Sequence, residues 1–214
     1  MERICYIICA WHGEEASIRP LPGDFVIAAD GGYQAAAALG VVPDLVVGDF
    51  DSLGYVPEGV PIERHPVMKD DTDAMLAARL GMERGYQNFV LVGAIGGRLD
   101  HTIANLQTLL FLAEHGAAGI LYGDGTVATA VRNSSVALTG TGTVSVFCFG
   151  PPATGVYERG LLYSLTDATV TAGFPIGVSN EFTDAPAHIS VETGTLVILW
   201  SAEKEALPGI IKMR

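Results

Sequence analysis

FVIAADGGYQAAAALGVVPDLVVGDFDS, residues 25–52, is the stretch on which the fold turns. Phe25–Ala29 is a short apolar run closed by Asp30-Gly31-Gly32, residues that favour turns. Tyr33–Leu39 is rich in alanine, the strongest helix former, and stops at Gly40. Behind Pro43, Leu45–Val47 is apolar again and runs into Gly48-Asp49-Phe50-Asp51-Ser52. Strand, helix and strand in this order predict parallel pairing, with an aspartate just past the end of each strand.

The same alternation extends outward. Ile4–Ala10, Asn88–Val92, Ile120–Tyr122 and Thr126–Val131 read as further strands. Thr72–Arg84 reads as a helix stopped by Gly85. His101–His115 places Ile103, Leu106, Leu109, Leu110 and Leu112 on one wide apolar face and ends at Gly116. The pattern changes at Arg132-Asn133. From there the runs Val136–Leu138, Thr143–Phe149, Leu161–Leu165, Ala168–Thr171, His188–Glu192 and Thr195–Trp200 read as short strands between Gly and Pro clusters. The expectation is an α/β domain over residues 1–133, with a mostly parallel, Rossmann-like sheet. An all-β sandwich of jelly-roll type follows over 134–214.

Composition narrows the function. The chain has 214 residues, 49% of them hydrophobic and 17% charged, which excludes disorder and suffices for a sizeable core. Twelve Lys and Arg against 24 Asp and Glu give a net charge of −12, the wrong sign for gripping a nucleic-acid backbone. No apolar run is long enough to cross a bilayer, and the first residues read as a strand and not as a signal peptide. Cys5, Cys9 and Cys148 lie inside apolar runs outside any CxxC, the pattern of reduced thiols in a cytoplasmic protein.

In an open parallel sheet, ligands bind beyond the carboxyl ends of the strands. Acidic residues crowd those positions here: Asp30; Asp49 and Asp51; Asp70, Asp71 and Asp73 around Thr72; and Asp100 after Gly96-Gly97-Arg98-Leu99. Each has an ordinary alternative. Asp30-Gly31-Gly32 could be a plain turn, Asp70 with Asp73 a helix cap, and Asp100 the cap of the next helix. Together they place many anions at one sheet edge, which a divalent cation with a polyphosphate would neutralise. Gly31, Gly32, Gly96 and Gly97 allow backbone amides to approach phosphate closely. There is no GxxxxGK[ST], no GxSxG and no HExxH.

Ala29-Asp-Gly-Gly32, Gly48-Asp-Phe-Asp-Ser52, Asp70-Asp-Thr-Asp73 and Gly96-Gly-Arg-Leu-Asp-His101, in this order, resemble the signature set of the thiamine pyrophosphokinase family. Gly160-Leu-Leu-Tyr-Ser-Leu165 and Gly177-Val-Ser-Asn-Glu181 resemble the family's thiamine-contacting segments. The resemblance implies transfer of a pyrophosphoryl group from ATP to the hydroxyethyl oxygen of thiamine, yielding thiamine diphosphate and AMP. It implies Mg2+ held by Asp49, Asp51 and Asp73, and a nucleotide site lined by Asp30, Asp70 and Thr72. Arg98 and Asp100 would then stand at the transferred phosphates, with Asp73 or Asp100 accepting the alcohol proton. Tyr163, Ser179 and Asn180 would hold thiamine. A homodimer with active sites shared between subunits is implied as well, and an 80-residue β-domain with so apolar a sequence suits burial in a dimer. Tyr163 stands where animal members carry Trp, and it could instead be a packed strand aromatic.

Two other readings compete. Val46-Val-Gly-Asp49-Phe-Asp51 resembles the DxD loop of haloacid-dehalogenase phosphatases, but Leu53 departs from that pattern and the other acidic segments go unused. A sensor that binds thiamine or nucleotide without turnover would need no proton acceptor.

Overall fold

The computed structural model describes residues 3–10, 18–51, 53–64 and 71–202. Contacts divide the chain into two compact units, Met1–Asp124 and Gly125–Arg214. In the first, the strands are β1 (Ile4–Ile8), β2 (Phe25–Ala29), β3 (Leu45–Gly48), β4 (Ile62–Arg64), β5 (Asn88–Val92) and β6 (Ala118–Gly123). The helices are α1 (Gly32–Ala38), α2 (Asp73–Glu83) and α3 (Leu99–Glu114). The strands align in the order β6-β5-β1-β2-β3-β4, every neighbouring pair parallel.

β1, β2, β3 and β5 are almost wholly buried along their length, as a parallel sheet covered on its faces requires. Fully buried Ile7, Ile27, Phe89 and Leu91 each contribute about 1.5–3 kcal/mol by leaving water. α2 lies so close to the sheet that a Cβ on Gly81 would stand 2.6 Å from the Phe89 ring. All three helices end alike. Gly40, Gly85 and Gly116 take positive φ, and their amides, with those of Val41, Tyr86 and Ala117, satisfy the last carbonyls. α3 begins at Leu99, two residues before the expected start.

The second unit contains β7 (Thr126–Arg132), β8 (Ser135–Leu138), β9 (Thr143–Cys148), β10 (Ala153–Arg159), β11 (Leu165–Val170), β12 (Gly177–Glu181), β13 (Ala187–Thr193) and β14 (Thr195–Ser201). Two antiparallel arrays form, β12-β9-β14-β7 and β11-β10-β13-β8. β7 belongs with this unit because it pairs along its whole length with β14. The strand expected at Leu161–Leu165 is not formed. Its first residue makes an isolated bridge, Leu161 to Phe182, and the segment leads from β10 to Leu165, where β11 begins by pairing with Glu158. β10 itself escaped the pattern because Gly155 and Glu158 interrupt its apolar alternation. β4 and β12 were also missed, one too short and the other too polar to stand out.

Candidate functional site

The carboxyl ends of the parallel strands carry a row of acids. Asp30 follows β2 at φ 45°, only 9% exposed, and its Oδ1 is buried without a hydrogen-bond partner among the described residues. Its amide donates to Val47 O at 2.7 Å, tying the ends of β2 and β3 together. Gly48, at φ 151°, packs directly against Asp30, where a Cβ would meet the Asp30 Cβ at 3.0 Å. Beyond it, Asp49 Oδ1 accepts from the Asp51 amide at 3.1 Å, so Asp49 closes the turn that carries both acids. Phe50, buried at φ 65°, anchors the turn in a cluster with Ala28, Val46 and Leu53. No lysine or arginine among the described residues forms an ion pair with Asp30, Asp49 or Asp51.

Thr72 caps α2 by accepting from the Met75 amide at 3.2 Å, and Asp73 sits in the first turn. The N-cap residue is therefore Thr72. Asp73 acts electrostatically on Cys9 just past β1, so it belongs to the same sheet end. Burial first, and then Asp73, push the Cys9 thiol up to about 12, leaving it inert. Asp71 instead pairs with Arg79 at 3.0 Å. Asp70 and Lys69 lie outside the described residues.

The loop after β5 is fixed from α3. Asn105 Nδ2 donates to Ala94 O at 2.7 Å, and Thr102 Oγ1 accepts from the Gly96 amide at 3.2 Å. Gly96 and Gly97 both take positive φ. Arg98 clasps Asp100 through two bonds, Nε to Oδ1 at 3.1 Å and Nη2 to Oδ2 at 2.5 Å. The guanidinium holds the Asp100 carboxyl below its usual range. Arg98 is the N-terminal flank of α3 and Asp100 lies within its first turn, so Asp100 does not cap the helix.

Gly32 has a packing reason of its own, since a Cβ there would lie 1.8 Å from Ile8 O. One residue at this sheet end was passed over in the sequence. Asp124 follows β6 and stands against Gly96, whose Cβ would lie 3.1 Å from the Asp124 Cβ. The signal was available, for Asp124 follows an apolar run as Asp30 and Asp49 do.

Asp30, Asp49, Asp51 and Asp73 share one sheet end, but among the described residues no three acidic, His or Cys groups converge on a point that could hold a metal. The donor set nevertheless fits Mg2+. It is all carboxylate oxygen, includes the orphaned Asp30 Oδ1, and lacks cationic partners for three of its members among the described residues. Mg2+ usually takes one or two carboxylates and completes its shell with phosphate and water.

The second group of expected residues lies in the C-terminal unit. Tyr163 is 65% exposed, which removes the core-packing alternative. Asn180 is 4% exposed, and its amide is fully engaged. Oδ1 accepts from the Tyr163 and Glu181 amides, both at 2.9 Å. Nδ2 donates to Tyr163 O at 2.6 Å and to Glu158 Oε2 at 3.0 Å. Asn180 thus holds the Tyr163 backbone and has no capacity left for a ligand. Ser179, at φ 60°, donates its amide to Ser145 Oγ at 3.1 Å. Glu158 was missed together with its strand.

An acid-lined end of a parallel sheet, in a chain that also carries a β-rich unit with an exposed aromatic, fits the class of enzymes that bind ligands beyond the carboxyl ends of their strands. The family follows from comparison. Residues 22–120 match the thiamin pyrophosphokinase catalytic domain, and residues 135–196 match the thiamin pyrophosphokinase vitamin B1 binding domain. The chain belongs to the thiamin pyrophosphokinase family. A thiamine pyrophosphokinase of Bacillus subtilis is 24% identical over 194 residues, covering 83% of this chain and 87% of its own. The crystal structure of a Bacillus subtilis thiamine pyrophosphokinase superposes with a TM-score of 0.81 at 20% identity, over 94% of this chain and all of that one. A thiamin pyrophosphokinase family protein from Enterococcus faecalis gives 0.80 at 25% identity, with the same coverages. The yeast thiamin pyrophosphokinase gives 0.72 at 14%, over all of this chain and 89% of that one, a likeness of fold.

Proposed function

We propose that this enzyme transfers a pyrophosphoryl group from ATP to the hydroxyethyl oxygen of thiamine, releasing AMP and thiamine diphosphate. The observation that carries the reading is the row of carboxylates at one sheet end, three of them without cationic partners among the described residues. The N-terminal unit, read as Rossmann-like, takes the nucleotide. The C-terminal unit, read as a jelly-roll-type sandwich, takes thiamine.

Asp30, Asp49, Asp51 and Asp73 would hold Mg2+ jointly with the phosphates, and Asp70 completes the segment in sequence. Bound there, the cation would offset charge on the triphosphate. Gly31 and Gly97 leave backbone amides open to phosphate oxygens, and Thr72 caps the helix whose first turn carries Asp73. Arg98 can turn its fork from Asp100 to the transferred phosphates, a match of planar donors to anionic oxygens. Once Arg98 has turned away, both Asp100 and Asp73 offer a carboxylate to accept the alcohol proton. The exposed Tyr163 ring offers thiamine a stacking surface.

The exposed Leu162, Phe174, Ile176 and Val178 on the same unit favour a homodimer whose partner covers them and completes the active site. Three buried free thiols suit a cytoplasmic setting.

The test is product identity. Incubation with Mg-ATP should release AMP only when thiamine is present. Inorganic phosphate released without thiamine would favour the phosphatase reading, and binding without any product would favour a sensor.

A further inference from the structure

Glu158 occupies an inward position of β10, two residues after buried Val156, and is 1% exposed. Strand alternation calls for an apolar residue there. Oε2 accepts from Asn180 Nδ2 at 3.0 Å, while Oε1 has no partner among the described residues. Burial pushes the carboxyl above its ordinary range, and the Asn180 bond only partly opposes this. A leucine would remove an unsatisfied oxygen from the core, so the acid is not the choice that stability alone would make.

What the acid does is orient an amide. Asn180 comes from β12, in the other array of the unit, and holds Tyr163 by its backbone N–H and C=O at once. That clamp works in one orientation only. With the amide reversed, an NH2 group would face the donating amides of Tyr163 and Glu181. Glu158 Oε2 is an acceptor and so rewards the orientation in which Nδ2 points inward. We propose that Glu158 is a positioning residue for thiamine: it locks the Asn180 amide, which in turn holds Tyr163 out as the stacking surface. This rests on the reading of Tyr163 as a thiamine contact.

The experiment compares wild type, Glu158→Leu and Glu158→Gln by AMP release, with thiamine and ATP varied separately. Gln keeps an acceptor oxygen for Asn180. The expected result is a thiamine KM raised about tenfold in Glu158→Leu, with the ATP KM unchanged, and near-wild-type behaviour in Glu158→Gln. Should Glu158→Leu fail to fold, Glu158→Met, unbranched and adaptable, gives the same readout. An unchanged thiamine KM in the folded apolar variant overturns the inference. Equal rises in both KM values, or a Gln variant as impaired as the Leu variant, overturn it too. A wild type that releases no AMP with thiamine brings down the underlying reading, and the inference with it; an active wild type with an indifferent Glu158→Leu brings down the inference alone.

Discussion

The acids of the two units are kept in opposite ways. At the sheet end of the N-terminal unit, Asp30, Asp49 and Asp51 are presented by backbone geometry, through a bond between the β2 and β3 ends and a turn closed by Asp49 itself. Nothing cationic among the described residues answers them. In the C-terminal unit, Glu158 lies in the core and spends its one bond on an amide that secures a loop. The first arrangement leaves charge to be met by something from outside. The second uses an acid internally, to keep an exposed ring in place. Mutations should therefore separate cleanly: those in the first set damage chemistry and spare the fold, while those in the second alter stability and one substrate's affinity.

The largest effect is expected at Asp49. Asn keeps the Oδ1 that accepts from the Asp51 amide, so Asp49→Asn should preserve the turn. Turnover should fall by about 100-fold or more, as loss of a charge-stabilising group does, with the thiamine KM little changed. Steady-state AMP release with each substrate varied checks this. A variant defective chiefly in thiamine KM would blur the division between the units.

Next is Asn180→Ala, which removes four hydrogen bonds and strands Glu158 in the core. A loss of about 2–3 kcal/mol in denaturant unfolding is expected, together with a raised thiamine KM. Unchanged stability would show that the network is not the clamp its geometry suggests.

Tyr163→Ala should cost less and cost it differently. The ring is largely exposed, so the melting temperature should hardly move, while thiamine affinity falls by about 1–2 kcal/mol and ATP affinity stays constant. A large drop in melting temperature with unaltered thiamine KM would return Tyr163 to a structural role.

The smallest effect concerns pH. Burial raises the Glu158 carboxyl above its ordinary 4.5, so the folded state binds this proton more tightly than the unfolded chain does. The stability this confers is fully present below about pH 4.5 and is lost as pH rises through the folded value. Glu158→Gln cannot ionise. Its melting temperature relative to wild type should climb as pH is raised from about 4 towards 8. A difference that stays flat across this range would mean that Glu158 titrates as it does in the unfolded chain.

The division between what the sequence revealed and what it concealed follows the same contrast. Residues 25–52 were legible because an apolar strand, an alanine helix and a second strand each end on residues of one clear meaning, and β2 and β3 formed as read. The helix stops at Gly40, Gly85 and Gly116 were legible because positive φ there all but demands glycine. Asp30, Asp49 and Asp51 were legible together because they follow directly on β2 and β3. What stayed hidden depends on contacts distant in sequence. Asn180 looked like a ligand because its motif gave no hint that Glu158 and Tyr163, both remote in the chain, would use up its amide. Glu158 was invisible because the strand carrying it was itself masked by Gly155 and by the acid. The convergence of Asp49, Asp51 and Asp73 on one metal was inferred from the motif alone, and the described structure gathers them at one end without closing them into a three-ligand set.

The most direct measurement for the account is the thermal melt of wild type and Asp49→Asn, each in EDTA and in Mg-ATP. A carboxylate kept for an external cation predicts that Asp49→Asn melts at or above the wild type in EDTA, because one unanswered charge is gone. It also predicts that Mg-ATP raises the wild type by mass action and leaves the variant nearly unmoved. An Asp49→Asn protein that melts lower in EDTA, yet gains as much as the wild type from Mg-ATP, would contradict the account.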